Sequence, residues 1–109
     1  MSFENIDIDS LTDARRKSIE ETVQQVTGEQ MKTIGEGIFP YADDPWRERF
    51  FEFLTENPGC TFYHATTNDR VEILYCREKE RGIWFLPGSG LGPLQSKGLK
   101  IMKDAVARA

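Results

Sequence analysis

The chain has 109 residues and a formal charge of −4, with 39% apolar residues, 29% charged residues and 12 aromatics. That length makes one domain with a core of its own and leaves no room for two, and the aromatic content excludes an intrinsically disordered chain. No run of about 18 apolar residues is present to span a membrane, and two cysteines, Cys60 and Cys76, are too few for a disulfide scaffold.

Met1 to Asp9 reads as a loose lead-in, acidic and without the basic start and apolar stretch of a secretory signal. Ser10 with Asp13 three residues on resembles a helix cap. From Leu11 the chain runs without Gly or Pro to Thr27 and meets Gly28, a usual helix stop. The spacing predicts a first helix with a narrow apolar stripe at Leu11, Ile19, Val23 and Val26, extended past a kink through Met31 and Ile34, and broken by Gly35, Gly37 and Pro40. Asp43-Asp44-Pro45 marks a second helix start, where acids and a fixed φ suit the free N–H groups. Trp46, Phe50, Phe53 and Leu54 share one face of that helix, and Asn57-Pro58-Gly59 ends it.

The period then changes to two. Residues 60–67 and 70–77 read as strands joined by a tight Asn68-Asp69 turn. A third strand, Arg81–Leu86, follows the charged turn Glu78-Lys79-Glu80, a glycine-rich loop runs from Pro87 to Pro93, and a basic helix covers Leu94–Arg108. The predicted fold is a single α+β domain over residues 1–109, a three-stranded antiparallel meander with two helices before it and one after it (α-α-β-β-β-α).

A two-residue Asn68-Asp69 loop sets His64 opposite Ile73 and Thr61 opposite Cys76, and a two-residue Lys79-Glu80 loop sets Cys76 opposite Ile83 and Ile73 opposite Leu86. One sheet face then carries Phe62, His64, Thr66, Val71, Ile73, Tyr75, Trp84 and Leu86. The other carries Tyr63, Ala65, Leu74, Cys76, Ile83 and Phe85, with Glu72 the exception. Both faces are apolar, so each needs a cover. Either the helices form a sandwich or a second copy covers one side, with Tyr75 and Trp84 as candidate interface residues. Residues 1–60 carry a net −7 and residues 61–109 a net +3. The basic last helix thus has a natural partner in the acidic first half of another copy.

Pro87-Gly88-Ser89-Gly90-Leu91-Gly92-Pro93, between a strand and a helix, is the most distinctive stretch. Backbone N–H groups and a helix N-terminus together suit an anion, so Gly88, Ser89, Gly90, Gly92, Ser96 and Lys97 are the candidate ligand-binding residues. The spacing matches neither a P-loop nor a dinucleotide fingerprint, and a connector that uses glycines for a tight reversal, with Pro93 near a helix start, is the simpler account. His64, the sole histidine, is a candidate base but shows no acid beside it, and a hydrogen-bonded core histidine is the alternative. Cys60 and Cys76 read as small buried hydrophobes pointing to opposite sheet faces, too few with one histidine for a structural zinc site. Asp43 and Asp44 read as helix caps.

The functional expectation is a small non-enzymatic accessory or regulatory protein acting through protein contacts as a homodimer or other homo-oligomer, in a reducing cytoplasm, without cofactor, metal or catalytic residues. The alternatives are a module holding a phosphate- or carboxylate-bearing ligand at Gly88–Gly92, and an enzyme centred on His64. An acidic chain argues against nucleic acid as partner, and no membrane association is expected.

Overall fold

The structure, a computed structural model, describes residues 13–109; the lead-in and the Ser10 cap lie outside the described residues. Among the described residues four helices, α1 (Asp13–Thr22), α2 (Gly28–Ile38), α3 (Pro45–Glu56) and α4 (Ser96–Arg108), accompany five strands, β1 (Gln24–Val26), β2 (Phe62–Thr66), β3 (Glu72–Cys76), β4 (Arg81–Leu86) and β5 (Gly90–Pro93). The strands form one antiparallel sheet in sequence order, β1-β2-β3-β4-β5. The α+β class therefore stands, with two more strands and one more helix than the predicted order. No helix among the described residues is long and apolar enough to cross a membrane.

The helix expected over residues 11–27 ends at Thr22, and Gln24–Val26 pair with His64, Tyr63 and Phe62 instead. Pairing with the sheet overrides the local helical preference of these residues. Gly28 does not stop a helix but opens one. Thr27 is the N-cap of α2 in a capping box, its hydroxyl accepting the Gln30 N–H while the Gln30 side chain accepts the Thr27 N–H. Gly35 and Gly37 lie within α2 and do not break it. The start of α3 follows the expected chemistry: Asp44 Oδ1 accepts the Trp46 N–H at 2.8 Å and Pro45 opens the helix.

The β2–β3 turn differs from the expected one by a single residue. Thr67 bonds Val71 across the loop, with its N–H donating to the Val71 carbonyl at 2.8 Å. The residue at positive φ is Arg70 (φ 69°) rather than Asn68 or Asp69. A three-residue loop ending in a left-handed residue replaces the two-residue turn. His64 is accordingly opposite Leu74, not Ile73, and Phe62 is opposite Cys76. A one-residue slip moves every side chain of a strand to the other face, so β2 is inverted relative to the predicted arrangement. The β3–β4 turn spans Arg77–Glu80, two residues longer than expected, which sets Cys76 opposite Arg81 and leaves the faces of β3 and β4 unchanged.

Each sheet face is covered by helices of the same chain. Tyr63, Ala65, Val71, Ile73, Tyr75 and Trp84 pack with Ile19 of α1 and with Met102, Ala105 and Val106 of α4. On the other side, Phe62, Leu74, Cys76, Ile83 and Phe85 pack with Met31 of α2, Phe39, and Phe50 and Phe53 of α3. Phe50 is fully buried, with rings of Phe39 and Phe85 at 5.5 and 5.2 Å. Each such side chain contributes roughly 1.5–3 kcal/mol by its removal from water. Two helices per face satisfy the two-sided apolar pattern, so no second copy is needed to cover the sheet. Tyr75 and Trp84, expected at an interface, are 1% and 9% exposed beneath the chain's own helices.

Candidate functional site

The glycine-rich stretch is a hairpin and an edge strand rather than a loop. Pro87, Gly88 and Ser89 turn the chain, with Gly88 at φ 77° and the Ser89 N–H donating to the Leu86 carbonyl at 2.9 Å. Gly90 and Gly92 then lie in β5 opposite Leu86 and Trp84. A Cβ on Gly92 would stand 2.8 Å from the Trp84 indole, so the glycine lets the ring lie across the edge strand. The helix start at Ser96 follows β5, at the far end of that strand from the Gly88 turn. The turn and the helix N-terminus are not brought together, and the six candidate ligand residues fall into two groups. Gly88, Ser89, Gly90 and Gly92 belong to the β4–β5 hairpin. Ser96 and Lys97 are exposed in the first turn of α4.

Ser96 lines a cleft of about 550 Å³ between α4 and the β3–β4 end of the sheet, together with Tyr75, Glu80, Lys100 and Lys103. Lys103 Nζ pairs with Glu80 Oε1 at 2.5 Å, and this contact raises the lysine pKa above its ordinary value. Burial, reinforced by the Glu80 charge, raises the Tyr75 phenol. A second cleft of about 460 Å³ lies against the β1 edge and α2, lined by Gln24, Val26, Gln30 and Ile34.

His64 has an acid beside it after all. Its Nε2 lies 3.1 Å from Glu72 Oε1, both side chains are mostly buried, and the imidazole stacks on Phe85 at 6.5 Å. The true register puts Glu72 diagonally across from His64 on the face toward α2 and α3, while Tyr75 points to the other face. The signal in the sequence was Glu72 itself, a lone acid on an otherwise apolar strand face, which must find a partner when buried.

The same register brings the cysteines together, against the expectation that they face apart. Arg77 N–H donates to the Thr61 carbonyl at 3.1 Å, continuing the pairing past β2. Cys60 is therefore on the same side as Cys76. Both sulfurs and a Glu78 carboxylate oxygen lie within 4.8 Å of one another. Both cysteines are free thiols, and Cys76 is fully buried. Burial and the neighbouring Cys76 thiol push the Cys60 thiol up to about 11. Glu78 is held below the ordinary carboxylate range, chiefly by the Thr61 N–H donating to its Oε1. Arg77 Nε donates to its Oε2 at 3.2 Å.

No protein-family model, curated protein or solved structure matches this chain.

The chemistry must therefore be read from the groups themselves. His64 with Glu72 makes an oriented imidazole, one ring nitrogen committed to the carboxylate. The α4 cleft offers two lysines and a hydroxyl to a small anion, with Glu80 tempering the charge. Cys60, Cys76 and Glu78 offer two soft ligands and one hard ligand at a single point. Asp44 serves α3 as its cap, as its place before Pro45 implies.

Proposed function

We propose that this domain is a small non-enzymatic accessory or regulatory protein that works through protein contacts, with further copies of itself as the first partner. The observation that supports this reading is the sorting of charge by layer. The segment that builds one layer, residues 28–56, carries seven acids against three bases. In the opposite layer α1 is balanced, with three of each, and α4 carries four bases against one acid. Lys97, Lys100, Lys103 and Arg108 are all exposed, as are Glu29, Glu36, Glu48, Glu52 and Glu56 across the sheet. Opposite faces of opposite sign attract face to back, and such a head-to-tail contact is not limited to two chains. Mass should then rise with concentration instead of stopping at two chains.

Light scattering at high micromolar concentration tests this. Mass above the monomer at low ionic strength should fall toward the monomer as salt shortens the screening length to about 8–10 Å. Lys97→Glu with Lys100→Glu, both exposed, should abolish the association and leave the fold intact. A monomer at every salt concentration refutes the reading.

The α4 cleft favours a second reading, a module for a small phosphate- or carboxylate-bearing ligand held by Ser96, Lys100 and Lys103. Its volume of about 550 Å³ falls within the usual range for ligand sites, about 300–1,000 Å³. Amide shifts confined to residues 96–103 on adding millimolar inorganic phosphate to a monomeric sample would favour it over self-association.

A further inference from the structure

We propose that Cys60, Cys76 and Glu78 form a binding site for one thiophilic divalent cation, with Zn²⁺ as the best match.

The site follows from the strand register. Phe62 is opposite Cys76, and the Arg77–Thr61 hydrogen bond carries the ladder one residue further. Cys60 precedes Phe62 by two residues and Glu78 follows Cys76 by two. Side chains alternate along a strand, so all three sit on the face toward α2 and α3. Their ligand atoms lie within 4.8 Å of one another.

Tetrahedral geometry sets what the cation needs. With Zn–S near 2.3 Å and Zn–O near 2.1 Å, the ligand atoms of one ion stand about 3.6–3.8 Å apart. The three atoms must close by about 1 Å at most, which rotation about the side-chain torsions supplies. A direct disulfide fits the spacing less well. Diagonal neighbours across an antiparallel pair have Cα atoms about 7–8 Å apart, beyond the usual limit of about 6.8 Å for a disulfide. An ion between the sulfurs spans the gap that an S–S bond does not.

The surroundings fit the ion as well. The Thr61 N–H and the Arg77 guanidinium each hold one oxygen of Glu78, the outer support that orients a metal-ligating carboxylate. Two thiolates and a carboxylate bring three negative charges to a divalent ion, and Arg77 and Lys79 stand close to offset the remainder. Three protein ligands leave the fourth position open to water. Binding is a proton exchange with no redox change: the ion enters, both thiols lose their protons to solvent, and the carboxylate coordinates as it stands.

The test uses the full chain, stripped of metal and kept reduced with a phosphine, and cobalt(II) as a visible probe. One cobalt per chain should bind with thiolate-to-metal charge-transfer absorption, and zinc should displace it. Cys60→Ser should weaken cobalt binding by at least about 100-fold and Glu78→Gln by about tenfold or more, the range for disturbed metal ligation. Cys60 is half-buried and Glu78 exposed, so both variants should keep the wild-type circular dichroism, whereas a change at buried Cys76 endangers the fold. Absence of the charge-transfer band at millimolar cobalt overturns the proposal. So does a band of undiminished strength in folded Cys60→Ser protein.

Discussion

Replacing Gly35 by alanine should change sign with its neighbour. In the middle of a helix, Gly→Ala normally stabilises by roughly 0.5–1 kcal/mol, because glycine loses more backbone freedom on folding. Here the added Cβ would lie 2.2, 2.7 and 3.0 Å from three atoms of the Phe50 ring. Carbon atoms rest at about 3.5–4.0 Å, so α2 or the ring must move by more than 1 Å. The ring is pinned between Phe39 and Phe85 in a core with no exposed edge. Overpacking of this kind typically costs about 1–3 kcal/mol, which exceeds the helical gain. Gly35→Ala alone should therefore lose about 1–2 kcal/mol. Phe50→Ala alone should lose roughly 3–5 kcal/mol, the range for a buried phenylalanine. With the ring gone the three nearest atoms to the new methyl group are removed, so Gly35→Ala in the Phe50→Ala background should gain about the intrinsic 0.5–1 kcal/mol. Urea denaturation of the four proteins measures all of this as one cycle. An equal effect of Gly35→Ala in both backgrounds refutes the packing of α2 on α3 through this contact.

Two further outcomes follow from the titrating groups. Burial of Asp69 works against its ionisation, but the Arg15 guanidinium and the Thr67 hydroxyl outweigh it and hold the carboxyl below its ordinary value of 3.8. A depressed folded pKa gives stability that is present above the unfolded value and lost as pH falls through the folded one. The Asp69 side chain is 42% exposed, so Asp69→Asn should cost at most about 1 kcal/mol at neutral pH. Thermal melts should show that difference vanishing in acid, and an undiminished difference there contradicts the pairing. Cys60, with its pKa raised from 9.0 to about 11, should alkylate about two orders of magnitude more slowly in the metal-free folded protein at pH 8 than in urea, since the thiolate is the reacting form. Mass-spectrometric labelling rates within tenfold of each other would contradict the Cys60–Cys76 contact.

What could be read from the sequence depended on where each element takes its instructions. The α3 helix has both ends written locally, in Asp43-Asp44-Pro45 and Asn57-Pro58-Gly59, and β4 matches its expected span at both residues. By contrast β1 is three residues of unremarkable chemistry, and only its partner β2 makes it a strand. The β2–β3 turn carried the largest consequence. Asn68-Asp69 suits a two-residue turn, yet Arg70 takes the left-handed conformation. Without that single extra residue β2 is inverted, His64 is separated from Glu72, and Cys60 and Cys76 fall on opposite faces. The larger two-residue difference at Arg77–Glu80 left every face correct, because the side-chain period is two. The candidate sites were thus hidden by the parity of one loop rather than by any lack of the residues that form them. The glycine stretch was misread for another reason: Gly92 answers to the Trp84 ring, a packing demand from the neighbouring strand.

The sheet's strand order, identical to the order along the chain, also sets a route for folding. Each of the three hairpins from β2 to β5 closes over a loop of a few residues, so little chain entropy is lost before contacts form. The pairing of β1 with β2 closes over the longer stretch that holds α2 and α3, and the packing of α1 against α4 reaches furthest, since Glu20 meets Arg108 and Ile19 joins a cluster that includes Met102 and Val106. That union waits for the far end of the chain to arrive. A conservative change such as Ile19→Val should therefore speed unfolding while leaving the folding rate nearly untouched, the outcome for contacts that form after the transition state. That outcome would make the meander the nucleus of this domain and the clasp between α1 and α4 the part that opens first.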